Sequence, residues 1–357
     1  MRKSMPIVRR VILSASITAF AMWLLLYSPT PYVVYEPGLA VPVNPMITLE
    51  GTSANNGDSG EFMLTAVKLT APNLWGVLCA VFDSDRDVYM KKDVFRGESQ
   101  KQYAERLTVI MEGSQNDAVE AVYRYLHIPY EAKTESIIVS DVYHIDGVRD
   151  SPFRRGDHVV GLNSGERFRS VEDAISKLRL AWDGKDGSTI SLDVERQGKV
   201  MSVDIALTDV AQGEWTAEHL AKLLGVTGFT ELRSILPNDQ KQQLNIAAGE
   251  IGGPSAGLVF TLQGIDLLTD GELSGGARIA ATGTIDGEGK IGAIGGIKQK
   301  VVITSEQGAD LFLVPKQNEK AARAKAKSMK SEMKVVAVET LQEAINAISA
   351  FQSQSKH

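Results

Sequence analysis

Gly252-Gly253-Pro254-Ser255-Ala256-Gly257, followed downstream by Gly292 to Lys300 (GAIGGIKQK), decides how this chain is read. Small residues crowd a turn at 252–257 and then give way to LVFTLQGIDLL, in which Leu258, Leu262 and Ile265 recur at helical spacing. Pro254 suits the first turn of that helix, so Ser255 is set at a helix N-terminus. There the unpaired N–H groups and the positive end of the dipole can hold an oxyanion, and the neighbouring glycines let a substrate main chain approach closely. Serine is also a favoured cap and glycine-rich turns also bind phosphate, so a nucleophile reading requires a base. The five histidines, His127, His144, His158, His219 and His357, are scattered and stand in no triad context. In GAIGGIKQK a glycine pair precedes a helix predicted over KQKVVITSEQ, which Gly308 ends. Lys298 falls in its first turn, the wrong end for a cation, so the dipole favours the neutral amine. With partial desolvation its pKa falls toward the range of a general base.

GGPSAG and GGIKQK resemble the two catalytic motifs of the Lon-type serine proteases, and the 43 residues from Ser255 to Lys298 are the separation kept in that family. The likeness continues through TGTIDGEGKIGAIGGIK to LFLVPKQN, ending at Asn318. The resemblance implies that Ser255 is the nucleophile and Lys298 the general base of a Ser-Lys dyad. Thr282 falls where the family often has a hydroxyl that orients the lysine. Gly252, Gly253, Pro254 and Ala256 would form the oxyanion and substrate loop. Glu250 stands near the position where Lon has an acid, and its role stays open. The implied reaction is acyl transfer to water on protein or peptide substrates, with no metal, cofactor or nucleotide. The chain departs from Lon in having no Gly-x-x-x-x-Gly-Lys-Ser/Thr loop; Lys185 in GKDGST has the wrong spacing and reads as a hairpin loop. An ATP-independent endopeptidase acting on unfolded or extended chains is therefore expected.

Val11 to Tyr27 carries no charge and no acid or base recurs until Glu36. As a helix it spans roughly 25 Å at about 1.5 Å per residue, enough to cross a bilayer with flanking arginines snorkelling. Arg2, Lys3, Arg9 and Arg10 precede it, and no Lys or Arg follows until Lys68. The positive-inside rule then gives a single-pass cell-membrane protein, N-terminus cytoplasmic and catalytic part outside. Trp23 and Tyr27 read as interfacial anchors. A cleaved signal peptide is the competing reading, but the stretch from Tyr27 to Pro31 offers no good small-x-small cleavage site.

Prolines 29, 31, 37, 42 and 45 mark an extended lead-in, Glu61 to Leu69 (EFMLTAVKL) reads as a strand, and residues 100–127 are helical by the spacing of Met111, Ala118, Val122 and Leu126. From Glu131 to Thr208 short strands alternate with turns around a helix-like VEDAISKLRLAW, closing on a hairpin, TISLDVERQGKVMSVDIAL. Gly147, Ser151, Pro152, Arg155, Gly156, Asp157 and Asn163 resemble the signature of bacterial PDZ domains, which bind an extended peptide as an added strand. A small β module used only for packing or assembly is the plainer alternative. The expected organisation is a basic tail (1–10), an anchor (11–31), the first part of the protease domain (32–130), a PDZ-like domain (131–208) and the rest of the protease domain with the dyad (209–357). The fold class is α/β (α+β) with an inserted β-rich unit. In membrane-anchored Lon-like proteases that insertion puts the early strand beside the C-terminal part.

With 43% hydrophobic and 23% charged residues the 357-residue chain is not wholly disordered. Its net charge is −6, and −10 without the four N-terminal cations, a poor match for nucleic acid. One cysteine, Cys79, excludes an intramolecular disulfide framework and cannot by itself build a zinc site. Lys316, Lys320, Arg323, Lys325, Lys327 and Lys330 read as a solvated helix face, and Trp75, Trp182 and Trp215 as core. Lon-type domains commonly form rings, so a homo-oligomer is plausible. Two other functions compete: a peptide-binding scaffold that has lost activity, and a phosphoryl-transfer enzyme with a Ser/Gly-rich turn, although Ser255 stands alone there.

Overall fold

The computed structural model describes residues 7–49, 60–95, 99–142, 151–207 apart from 164, 183, 186 and 197, 215–249, 251–269 and 271–355. Helix α1 (Ile7–Tyr27) is followed by β1 (Tyr32–Pro42), β2 (Ile47–Leu49), β3 (Glu61–Thr70), α2 (Leu74–Val81), β4 (Asp87–Met90), α3 (Lys91–Phe95) and α4 (Gln100–Tyr125). Next come β5 (Tyr130–Val142), β6 (His158–Leu162), α5 (Val171–Ala181), β7 (Ser188–Arg196), β8 (Lys199–Leu207), α6 (Ala217–Leu224), β9 (Val226–Pro237) and β10 (Leu244–Ile246). The C-terminal run is α7 (Gly257–Leu268), β11 (Arg278–Ala281), β12 (Thr284–Ile285), β13 (Ile291–Gly292), α8 (Ile297–Glu306), β14 (Leu311–Pro315), α9 (Glu319–Ser328), β15 (Lys334–Val338) and α10 (Leu341–Ser355). The described apolar helix runs over Ile7–Tyr27 and stops short of Pro29 and Pro31, before the expected limit at 31 and with residues 7–10 already helical.

One six-stranded sheet has the order β15-β14-β11-β3-β1-β4. β3 lies parallel to β11, with Glu61 opposite Arg278 and Met63 opposite Ala280, so the early strand does sit beside the C-terminal part. Alternation along β14 feeds two cores. Leu311 and Leu313 join Phe62, Leu64, Val122, Phe260 and Leu262 beneath α4, α7 and α10. Phe312 and Val314 join Met63, Ala280, Val301 and Ala322 beneath α8 and α9. The long α4 starts where the sequence permits: Ser99 Oγ accepts from the Gln102 N–H and the Gln102 side chain accepts from the Ser99 N–H.

A second sheet, β8-β7-β6-β5-β9, has its own core of Ile137, Val159, Leu178, Leu192, Val194 and Val203. The expected hairpin is β7–β8 and the expected helix is α5, capped by Ser170. The boundary at 208 is too early. Leu220, Leu224 and Val226 belong to this core, and β9 pairs with β5 from Tyr130 to Val142, so burial and backbone pairing carry the unit on to Pro237. Gly147 of the PDZ-like signature, with His144, Glu250 and His357, lies outside the described residues. Trp182 and Trp215 pack against the second core, whereas Trp75 is 53% exposed and is not core. Of the basic run only Lys325 is buried, where it pairs with Asp85.

Arg233 on β9 joins the two units by pairing with Asp117 and Glu120 on α4, and Glu120 also receives Tyr130 and Arg124. Within the second unit Asp157, 1% exposed, takes both Arg196 Nε at 2.7 Å and Nη2 at 2.6 Å, together with the Arg154 N–H. Removing one partner strands the other charge in a poorly solvated place. Asp157→Ala is expected to destabilise this unit by about 3–5 kcal/mol. Denaturant titration followed through Trp182 and Trp215 fluorescence is the measurement; an unchanged midpoint refutes the role given to the pair.

Candidate active site

A 3₁₀ turn, Pro254–Ala256, leads directly into α7 and carries Ser255. Gly253 precedes it with φ +91°, a backbone that side chains rarely adopt, and its N–H donates to Leu107 O of α4 at 2.9 Å. Ser114 Oγ donates to Pro254 O at 3.1 Å. The loop that carries Ser255 is thus fastened to α4 at two consecutive residues. Of the expected oxyanion loop, Gly253 has its N–H committed to Leu107 and Pro254 has none. The donors remaining for an oxyanion are the first N–H groups of the turn and helix at Ser255 and Ala256, where intrahelical acceptors run out.

The lysine that meets Ser255 is Lys300, not Lys298. Lys300 Nζ lies 2.8 Å from Ser255 Oγ, 2.9 Å from Thr282 Oγ1 and 2.9 Å from the Thr65 carbonyl oxygen. Lys298 points the other way, half exposed, with its Nζ 3.1 Å from Asp87 Oδ1. The reason is helix phase: α8 starts at Ile297 after Gly296, and its inward face carries Ile297, Lys300, Val301 and Thr304, at i, i+3, i+4 and i+7. Two residues apart on a helix means roughly opposite faces at about 100° per residue. A lysine lying on the apolar stripe was the signal available in the sequence; first-turn position alone fits both lysines. Thr65 escaped notice because it acts through its carbonyl, which every residue type possesses.

Burial pushes the Lys300 amine down from 10.5 to about 7, and only 2% of the residue is exposed. No carboxylate is among the three partners of Nζ. Thr282 Oγ1 donates its own proton to the Ser255 carbonyl oxygen at 3.1 Å, so its oxygen faces Lys300 as an acceptor. The Thr65 carbonyl can only accept. A neutral amine has two N–H donors and one lone pair, and the two donors are used by these oxygens. The lone pair is left for the Ser255 hydroxyl. Thr282 therefore touches both members of the pair.

Ser255 and Lys300 open into a cleft of about 610 Å³ walled by Leu39, Val67, Leu107, Met111, Ile251 and Ile294. The three described histidines do not line the cleft: His127 follows α4 with φ +55°, while His158 contacts Ser136 and His219 lies against Trp215, both in the second unit. Among the described residues no three His, Cys, Asp or Glu side chains converge as metal ligands would.

Residues 235–350 match the protein family described as Lon protease (S16) C-terminal proteolytic domain, a range that contains Ser255, Thr282 and Lys300. Lon protease homolog 2, peroxisomal, of Caenorhabditis elegans is 33% identical over 163 residues, covering 42% of this chain and 21% of that protein. Lon protease of Clostridioides difficile is 30% identical over 178 residues, 46% of this chain and 21% of that protein. Lon protease of Roseiflexus castenholzii is 30% identical over 201 residues, 53% of this chain and 24% of that protein. The chain spans about a fifth to a quarter of the length of these relatives. The homology supports a Lon-like serine protease.

A buried lysine with a lowered pKa costs stability wherever the unfolded chain would hold the proton more tightly. The penalty is full below pH 7, declines as pH rises from about 7 to 10.5, and vanishes above that window. Lys300→Met is therefore expected to be more stable than the parent at pH 7, by up to about 4 kcal/mol at 1.36 kcal/mol per pKa unit, with the gap closing toward pH 10.5. Chemical denaturation across this range checks it; a gap that widens with pH contradicts a depressed pKa.

Proposed function

We propose that this chain is a membrane-tethered serine endopeptidase that hydrolyses extended or unfolded proteins through Ser255 and Lys300. The observation that carries the reading is the 2.8 Å approach of a fully buried amine to the Ser255 hydroxyl, with no acid beside it. In the first step the Lys300 lone pair takes the Ser255 proton as Oγ adds to the substrate carbonyl carbon, and the carbonyl electrons move to its oxygen. The start of α7 offers that oxyanion N–H groups and the positive end of a helix dipole. The new ammonium keeps two N–H bonds, to Thr282 and Thr65, and gives its third proton to the leaving amine as the C–N bond breaks. Water then enters and loses a proton to neutral Lys300 as its oxygen adds to the ester carbonyl carbon; when the C–Oγ bond breaks, the ammonium returns that proton to Ser255 Oγ and the acid product leaves. The peptide-bond step proceeds on these residues alone.

Extended substrates are favoured because the cleft runs along β3, from Thr65 to Leu69, and along Gly38 and Leu39 of β1. The sequence carries no Walker-type loop, which supports a reaction without nucleotide hydrolysis. The second unit is read as PDZ-like and as a site for recruiting peptide segments, on the signature around Asp157. Membrane tethering rests on α1, whose 21 residues are all outside the core and whose mean hydropathy reaches 1.6. With the preceding basic residues this favours a cytoplasmic N-terminus and an external catalytic part. The short Lys300–Ser255 contact supports a working dyad over an inactive scaffold.

The test is proteolysis of an unfolded, fluorescently labelled protein by the full-length chain in detergent. Ser255→Ala and Lys300→Ala are each expected to lower turnover at least about 10³-fold, as for dyads that act as a unit. Lys298→Ala should stay within a few-fold of the parent. Activity should rise with pH through about 7 as the amine loses its proton, and then level off. Full activity of Lys300→Ala sinks the assignment.

A further inference from the structure

We propose that α2 is a second membrane contact, lying in the plane of the headgroup and acyl-chain boundary beside the end of α1, with a lipid surface as its partner. The inference rests on α1 spanning the bilayer. Helix α2 turns Val77 and Ala80 inward and leaves Trp75 (53%), Leu78 (44%) and Phe82 (85%), as well as Val81, exposed. Trp75, Leu78 and Phe82, at i, i+3 and i+7, share one side of the helix and continue onto its C-cap. On a soluble surface that side would carry charge; here no charged residue occurs between Lys68 and Asp83.

The position of this stripe selects the partner. Asn73 Nδ2 donates to Leu26 O at 2.8 Å, and the Thr30 hydroxyl donates to Pro72 O at 2.8 Å. These bonds hold the start of α2 level with the last turn of α1, so the two apolar surfaces are continuous. Tyr27, 70% exposed, stands at the same level. The Asn73 side chain also caps α2 by accepting from the Gly76 N–H at 2.9 Å, which preforms the short helix. Lys91 donates its N–H to Pro31 O at 2.7 Å, and this brings Lys91 and the exposed Lys92 to the same rim. Aromatic and long apolar side chains beside lysines, at the end of a span, are what the interface of a bilayer accepts. Of the nearby acids, Asp83 pairs with Arg86, Asp85 with Lys325 and Asp87 with Lys298, while the exposed Asp93 lies beside Lys92.

Cys79, the sole cysteine and exposed on α2, is the reporter. The full-length chain, labelled there with an environment-sensitive fluorophore, is reconstituted into mixed phosphatidylcholine and phosphatidylglycerol vesicles. Lipids with a nitroxide near the headgroup should quench the label strongly, and aqueous iodide should quench it several-fold less than in the Trp75→Asp/Phe82→Asp variant. Both proteins should co-float with the vesicles through α1. Co-flotation with a label fully open to iodide and untouched by nitroxide lipid overturns the α2 contact and leaves the anchor standing. Failure of the parent chain to co-float overturns the anchor and this inference together.

Discussion

An amine buried without a carboxylate is the constraint on which the architecture depends. Four separate segments have to converge to supply its surroundings: Thr65 from β3, Ser255 ahead of α7, Thr282 after β11, and Lys300 on α8. A fully buried ammonium would need a counter-ion, and a hydrophobic replacement would be cheaper for folding. What the arrangement gains is a lone pair directed at a hydroxyl, since the two oxygens that surround the amine can accept both its protons. The placement of β3 beside β11 thus also shapes the surroundings of the amine: a strand more than two hundred residues away in sequence provides one of the three contacts of Lys300 Nζ.

Much of this was legible in the residues. The GGPSAG turn, the apolar helix after it and the β-rich middle follow from small-residue turns and from hydrophobic period, whereas the pairing of the early strand with the C-terminal part comes only from the family resemblance. Two lysines two residues apart both fit the first turn of α8; family spacing favours Lys298 and helix phase favours Lys300. Phase wins because burial, which sets the pKa, depends on the face of the helix. The limit at 208 failed for a related reason: local strand and turn patterns end there, but the sheet is completed by β9, a non-local pairing that short-range signals do not encode. Trp75 departs from the core reading because residue type alone does not set burial: it is 53% exposed.

Helix α4 has to satisfy both units at once. Through Leu107 and Ser114 it fixes the main chain of Gly253 and Pro254, immediately before the nucleophile. One turn beyond, Asp117 and Glu120 hold Arg233 on β9. Close packing leaves little slack between these attachments: a Cβ on Gly252 would meet Leu107 Cβ at 2.8 Å, and one on Gly113 would meet the Thr230 side chain at 2.5 Å. Burial raises the Asp117 carboxyl to about 6 against the pull of Arg233, so a charge at this joint is costly to keep. A rigid α4 joined to the second sheet explains how a loop with φ +91° at Gly253 is held in one conformation.

Lys298 has a physical purpose once it is released from the chemistry. With Gln299, whose Nε2 lies 2.9 Å from Asp87 Oδ2, it ties the first turn of α8 to the start of β4. Lys325 of α9 pairs with Asp85, just before that strand. The half-exposed Lys298 pair contributes little stability by itself, on the order of 0–1 kcal/mol. Its effect is on where charge resides: the acids after Phe82 are drawn toward the catalytic helices, and the outward side of α2 is left without any. The same contacts thus register α8, which carries Lys300, against the segment that lies beside the end of α1.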